Sequence, residues 1–228
     1  MSFEPDAAPF NPLPPVVVAL VLFILGIEAV FSLGARGILG GADAIGWRIE
    51  AMQEYGFFTQ IFDWMVQNTA APFEFSKRFL SYAFVHPSFT SAIFASVIIL
   101  AMGNMAGRVF SGFSILIIFV VSIVLGAVMF GLFAPDGSVL FGSFPGAYGL
   151  IGAYSFLMWV SLVHTGGPQM RAFRLIGVLM AIQLVFGLIF GSRPDWIADL
   201  SGFIGGFAAS MVLAPGGFAR VMAMIKRD

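Results

Sequence analysis

Six stretches of this chain are long and apolar enough to cross a bilayer, and that property rules over every other. A membrane-spanning helix takes roughly 17–25 mostly apolar residues. The stretches are 13–34 (LPPVVVALVLFILGIEAVFSLG), 87–107, 112–133, 145–164 (PGAYGLIGAYSFLMWVSLVH), 172–191 and 196–214 (WIADLSGFIGGFAASMVLA). Only 10% of the 228 residues are charged and 59% are hydrophobic. A water-facing domain carries about 25% charged residues, so there is not enough charge here to coat a soluble surface. The reading is an all-α, polytopic membrane protein: an N-terminal tail (1–12), a six-helix membrane domain (13–214) and a C-terminal tail (215–228).

The N-terminal segment MSFEPDAAPFNPLPP is acidic and proline-rich. It lacks the positive n-region of a signal peptide, so the first apolar stretch is expected to remain as a span. The absence of cysteine removes disulfides, thiolate metal sites and cysteine catalysis together. A net charge of −1 without a basic run points to no nucleic-acid partner.

Connections are short except for 35–86. Within that loop, Ile45, Ile49, Met52, Ile61 and Met65 recur at helical spacing, and Trp47, Tyr55, Phe57, Phe58, Phe62 and Trp64 add aromatic bulk. Amphipathic, aromatic-rich helices favour the membrane interface. The loop is expected to form one or two interfacial helices broken near Gly56, against the alternative of a cap packed on itself outside the bilayer. Positive charges near span ends (Arg108, Arg171, Arg174, Arg220, Lys226, Arg227) favour termini on the cytoplasmic side.

Lipid gives helices no hydrophobic reason to associate, so they meet through small residues that permit close packing. Gly202 and Gly206 form a G-x-x-x-G pair in the sixth span. Gly142, Gly146, Gly149 and Gly152 recur at steps of three and four along the fourth. These two spans are expected to pack face to face.

Taken together, three regions resemble the rhomboid family of intramembrane serine proteases. The resemblance covers residues 13 to 214. In that family the fourth span opens on a Gly-x-Ser-Gly turn, the sixth carries Ala-His ahead of a G-x-x-x-G, and the second begins near an Arg-aromatic stretch and a His and carries a further His and an Asn. Here the turn reads Gly142-Ser143-Phe144-Pro145, followed by Tyr148, Gly149 and Gly152. The sixth span reads Ala198-Asp199, then Gly202 and Gly206. The approach to the second span supplies Arg78 and His86. The resemblance implies a six-span bundle with a long interfacial first loop, and structural roles for those scaffold residues.

The same resemblance puts the chemical positions on residues that cannot do the chemistry. The nucleophile falls on Phe144, the following glycine on Pro145, the general base on Asp199, and the oxyanion-binding His and Asn on Ser91 and Ala95. Nucleophilic catalysis needs a hydroxyl or thiol within reach of a base. The fallback nucleophile is Ser143, with Asp199 as its base, and a carboxylate is a weak base for a serine proton unless burial raises its pKa. Losing one oxyanion donor costs about 10²–10³ in rate. His86 is expected to be structural and His164 interfacial, on the opposite membrane side, so the two histidines build no metal site. No cofactor or metal is expected.

Four functions follow. The first is an inactive rhomboid-like protein that binds transmembrane segments of client or partner proteins. The others are an active protease on Ser143 and Asp199, an accessory subunit of a larger membrane complex, and a small transporter. The last rests on Glu28, Gln183 and Asp199, the strongly polar residues well inside spans. Glu28 is expected to snorkel to the interface and Asp199 to face an aqueous cavity. The expected partners are membrane lipid and transmembrane segments, the expected setting a bacterial inner membrane; the oligomeric state stays open.

Overall fold

The computed structural model describes residues 13–190 and 193–215, the side chain of Phe190 excepted. The tails expected at 1–12 and 215–228 lie outside the described residues, apart from Pro215.

All six expected spans are helices long and apolar enough to cross a membrane. They are α1 (Pro15–Ala35), α6 (Phe89–Ala106), α7 (Gly112–Phe133), α8 (Phe144–Thr165), α9 (Arg174–Phe190) and α10 (Asp195–Leu213). The chain is a multi-pass integral membrane protein. Prolines mark the starts of α1 and α8, where the missing N–H costs nothing. Ser88 and Ser111 cap α6 and α7, each accepting from a backbone N–H three residues on. The outward faces carry exposed apolar side chains such as Phe94, Val97, Phe113, Leu184 and Leu188, as a lipid-facing surface requires.

The first loop divides as expected at Gly56, between α2 (Trp47–Tyr55) and α3 (Thr59–Gln67). Two short helices follow, α4 (Phe73–Ser76) and α5 (Arg78–Ser81). Arg78 lies at the break: its Nη1 donates to the carbonyls of Gln53 and Gly56, both at 2.8 Å. These are the acceptors that the end of α2 leaves open. A strand pairing joins this break to a distant segment. Between α2 and α3, strand β1 (Phe57–Phe58) pairs antiparallel with β2 (Val139–Leu140), the segment just before α8. The first loop is thus stapled to the entrance of the fourth span.

Glu28 corrects an expectation. It does not snorkel to the interface: it is 2% exposed and turned inward. Its carboxylate takes both terminal nitrogens of Arg48, at 2.5 and 2.9 Å, and the Ser32 hydroxyl at 2.9 Å. Arg48 Nη1 also donates to the backbone oxygen of His86 at 2.8 Å. One guanidinium therefore ties α1, α2 and the approach to α6 together.

The spans are packed very unequally. In α8, 56% of the spanning window is buried; across Gln169–Ile189, which contains most of α9, the share is 11%. The dense centre is α8 against α10, as the glycine rows predicted. A methyl group on Gly206 would collide with the backbone of Gly149, one on Gly202 with the Pro145 carbonyl, and one on Gly152 with the Phe203 carbonyl. Helix α7 forms a third wall that the glycine rows alone did not reveal. Its Ser122 fills the space beside Gly149, and its Gly126 lies under Pro145 and the Ala198 carbonyl.

Candidate functional site

The turn that opens α8 is held in place by residues on both sides. Gly142 has φ +86°, a region in which glycine is the easy choice. Its N–H donates to the Tyr82 carbonyl at 2.9 Å, and a Cβ there would come within 3.1 Å of the His86 ring. Tyr82 is itself fully buried and donates its hydroxyl to the Ile123 carbonyl at 2.7 Å. The segment 82–86 is therefore a strap linking α7 to the start of α8.

Ser143 closes this strap. Its backbone N–H donates to His86 Nε2 at 3.2 Å, and its hydroxyl lies 3.1 Å from the same nitrogen. Since Nε2 accepts from a backbone N–H, the neutral ring carries its proton on Nδ1, and the Ser143 hydroxyl donates. Both side chains are enclosed: Ser143 is 0% exposed and His86 1%. The hydrogen-bond partner of Ser143 is thus His86, where the alternative reading of an active protease would pair it with Asp199. His86 thus holds the residue that precedes α8 by two contacts.

Burial pushes the His86 imidazole down from the ordinary 6.5 to about 4. The unfolded chain therefore takes up this proton before the folded one does. Stability from this group is complete above about pH 6.5 and falls as pH drops towards 4, by a total on the order of 3 kcal/mol. The expected result is a melting temperature in mild detergent that falls between pH 7 and pH 4.5. His86→Asn, already destabilised at pH 7, should lose much of that pH dependence. An equally steep fall in the variant would assign the effect to other groups.

One residue along, the geometry turns outward. Phe144, Pro145, Gln183, Asp195 and Asp199 line a cavity of about 160 Å³ at the end of the bundle where α8 and α10 begin. Phe144 and Asp199 thus meet at one site. With six spans in alternation, that end is opposite the start of α1 and the end of α10. Gln183, on α9, reaches across: its Nε2 donates to Asp199 Oδ2 at 2.7 Å and to the Tyr148 hydroxyl at 3.2 Å. Asp199 is 3% exposed. Three oxygens of the lining residues have no hydrogen-bond partner among the described residues: Gln183 Oε1, Asp195 Oδ1 and Asp199 Oδ1.

The positions expected to hold an oxyanion stand on α6. Ala95 is fully buried and, as an alanine, has no side-chain donor to offer. The backbone N–H of Ser91 is spent on the Ser88 cap, leaving its hydroxyl as the shorter possible substitute. His164, at the far end of α8, contacts the Val160 carbonyl at 2.7 Å. No group of three or more His, Asp or Glu side chains that could hold a metal occurs among the described residues.

Sequence reasoning had picked out Gln183 as a polar residue in a span without finding its task. Only the crossing of α9 over α8 and α10 brings it to Asp199. The Ser143–His86 pair was also missed. The two residues are 57 apart, and no spacing rule joins a loop histidine to the residue ahead of a helix.

No curated protein matches the chain. The family model described as Rhomboid domain matches residues 75–216, well over half of the chain. That stretch contains the His86 strap, the Gly142–Pro145 turn, the interlocked glycines of α8 and α10, and the cavity between them. The chain belongs to the rhomboid family.

Proposed function

We propose that this rhomboid is proteolytically inert and acts by binding transmembrane segments of other proteins. The observation that carries the reading is the filled nucleophile position: the ring of Phe144 lines the cavity where a reacting hydroxyl would have to stand. Three further features agree with it. Pro145 has no N–H with which to hold an oxyanion. Asp199 is engaged by Gln183. Ala95 supplies no donor. A partner helix would approach beside α9, the span least held by the rest of the bundle. The charge asymmetry around the spans supports termini on the cytoplasmic face.

A second reading has one observation in its favour: Ser143 stands at hydrogen-bond distance from a neutral imidazole, the contact from which a serine nucleophile is activated. Its enclosure argues against it, since a nucleophile with no exposed surface meets no substrate.

The expected result is no labelling of the purified protein by a fluorophosphonate serine probe, and no cleavage of rhomboid substrates. Labelling that disappears in Ser143→Ala would overturn inertness. Binding is tested separately, by photo-cross-linking of single-span peptides to the reconstituted protein. Saturable cross-linking is expected, and its absence would remove the binding function.

A further inference from the structure

The cavity at the start of α8 and α10 is acidic, flanked by apolar side chains, and short of donors. Its polar side chains are two carboxylates and one carboxamide, and each has an oxygen without a partner among the described residues: Asp195 Oδ1, Asp199 Oδ1 and Gln183 Oε1. Gln183 has already directed its amide nitrogen to Asp199 Oδ2 and Tyr148. What remains is acceptors alone. Arg193 offsets part of the charge, with Nε 3.2 Å from Asp195 Oδ2, but its head lies outside: its side chain is 64% exposed. Asp199 is 3% exposed and retains one open oxygen among the described contacts. Buried polar oxygens without a donor are costly, and a donor brought by a partner would relieve that cost.

We infer that the cavity is a receptor for one basic side chain, lysine or arginine, carried by a membrane-spanning segment of a partner protein. This rests on the reading that the protein binds such segments, and it names what it selects in them. Charge complementarity favours this occupant over a purely apolar helix. An ammonium or a guanidinium presents several donors and no acceptor, which matches a site of acceptors. A cationic side chain inside a bilayer seeks an anionic partner for the same reason that the carboxylates do. The depth is defined as well. Asp195 is the first residue of α10 and Asp199 the fifth, about 6 Å along the axis at 1.5 Å per residue. The basic residue should lie one to two turns inside the end of its helix, at the membrane face away from the start of α1 and the end of α10. The walls Phe144 and Pro145 would pack along the aliphatic stem. A residue that removed a nucleophile thereby supplies the apolar lining of a side-chain pocket.

The test uses the full chain in lipid nanodiscs and three otherwise identical apolar single-span peptides. One has lysine five residues from the relevant end, one has norleucine there, and one has lysine at mid-span. The lysine peptide is expected to bind at least tenfold more tightly than the norleucine peptide, with the mid-span lysine giving no advantage. Asp199→Asn should bring the ratio of lysine to norleucine affinities close to one, and Asp195→Asn should reduce it by a smaller factor. The wild-type comparison stands even if the Asp199 variant fails to fold. Equal binding of the lysine and norleucine peptides would overturn the pocket while leaving segment binding intact. No binding by any peptide would overturn both. If sodium or calcium ions raise the melting temperature through Asp199 while lysine confers no preference, the cavity is an inorganic cation site and the inference falls.

Discussion

Gly206→Leu is expected to leave no folded protein. The methyl carbon alone would collide with the carbonyl, carbonyl carbon and Cα of Gly149. These are backbone atoms of a helix whose neighbours hold it on both sides. A flexible side chain could swing away, but here the two helices would have to separate. Ordinary overpacking costs about 1–3 kcal/mol. The cost here should exceed that range, because separating α8 from α10 also opens the contacts of Gly152 with Phe203 and of Gly202 with Pro145. Even Gly206→Ala should be strongly destabilising. The control is Gly177→Leu on α9, where nothing lies within 4 Å of the added carbon. Monodispersity and thermal melting in mild detergent read the difference. A Gly206→Leu protein that melts with the parent would show that α8 and α10 do not meet at this contact.

Glu28→Leu is the second large loss, about 3–5 kcal/mol, the range found when one partner of a buried ion pair is removed. Glu28 is 2% exposed and receives three hydrogen bonds. Without it, Arg48 would keep its charge and the His86 carbonyl but lose its counter-ion. Its partial exposure, 19% of the side chain, gives some relief through water and places the expected loss at the lower end. The double variant Glu28→Leu, Arg48→Met should be more stable than Glu28→Leu alone, since it removes the stranded charge. That recovery separates an electrostatic cause from a packing one. If the double variant is as unstable as the sum of the two single variants, the ion pair is not the cause.

The glycine contact and the ion pair differ in how far the chain announces them. The glycine rows were visible in the chain, because steps of three and four residues define one face of a helix, and glycine on such a face in lipid has few purposes besides close approach. Their contact could be anticipated, though not the third wall that α7 supplies with Ser122 and Gly126. The ion pair could not be anticipated. Glu28 near a span end has two outcomes, outward to the interface or inward to a partner, and its own neighbours in sequence are the same in either case. Only the docking of α2 on α1 decides between them. The two-residue strands were equally hidden, since Phe57–Phe58 and Val139–Leu140 have no pattern long enough to betray a pairing.

At the site the division has the same cause. Residue type alone determined that Phe144 cannot be a nucleophile, that Pro145 cannot donate and that Ala95 has no donor side chain, because those are properties of each side chain wherever it lies. Hydropathy determined the six helices, because a bilayer demands about twenty apolar residues whatever the neighbours are. Relations between residues were decided by the tertiary structure. Ser143 bonds to His86; Gln183 crosses from α9 to engage Asp199 and Tyr148; two carboxylates and a carboxamide share one cavity, each with an oxygen open among the described residues. Each of these depends on where distant segments cross, and the crossing is set by the fit of whole helices, in which glycine contacts fix the separation of α8 and α10 and so fix what can stand between their ends.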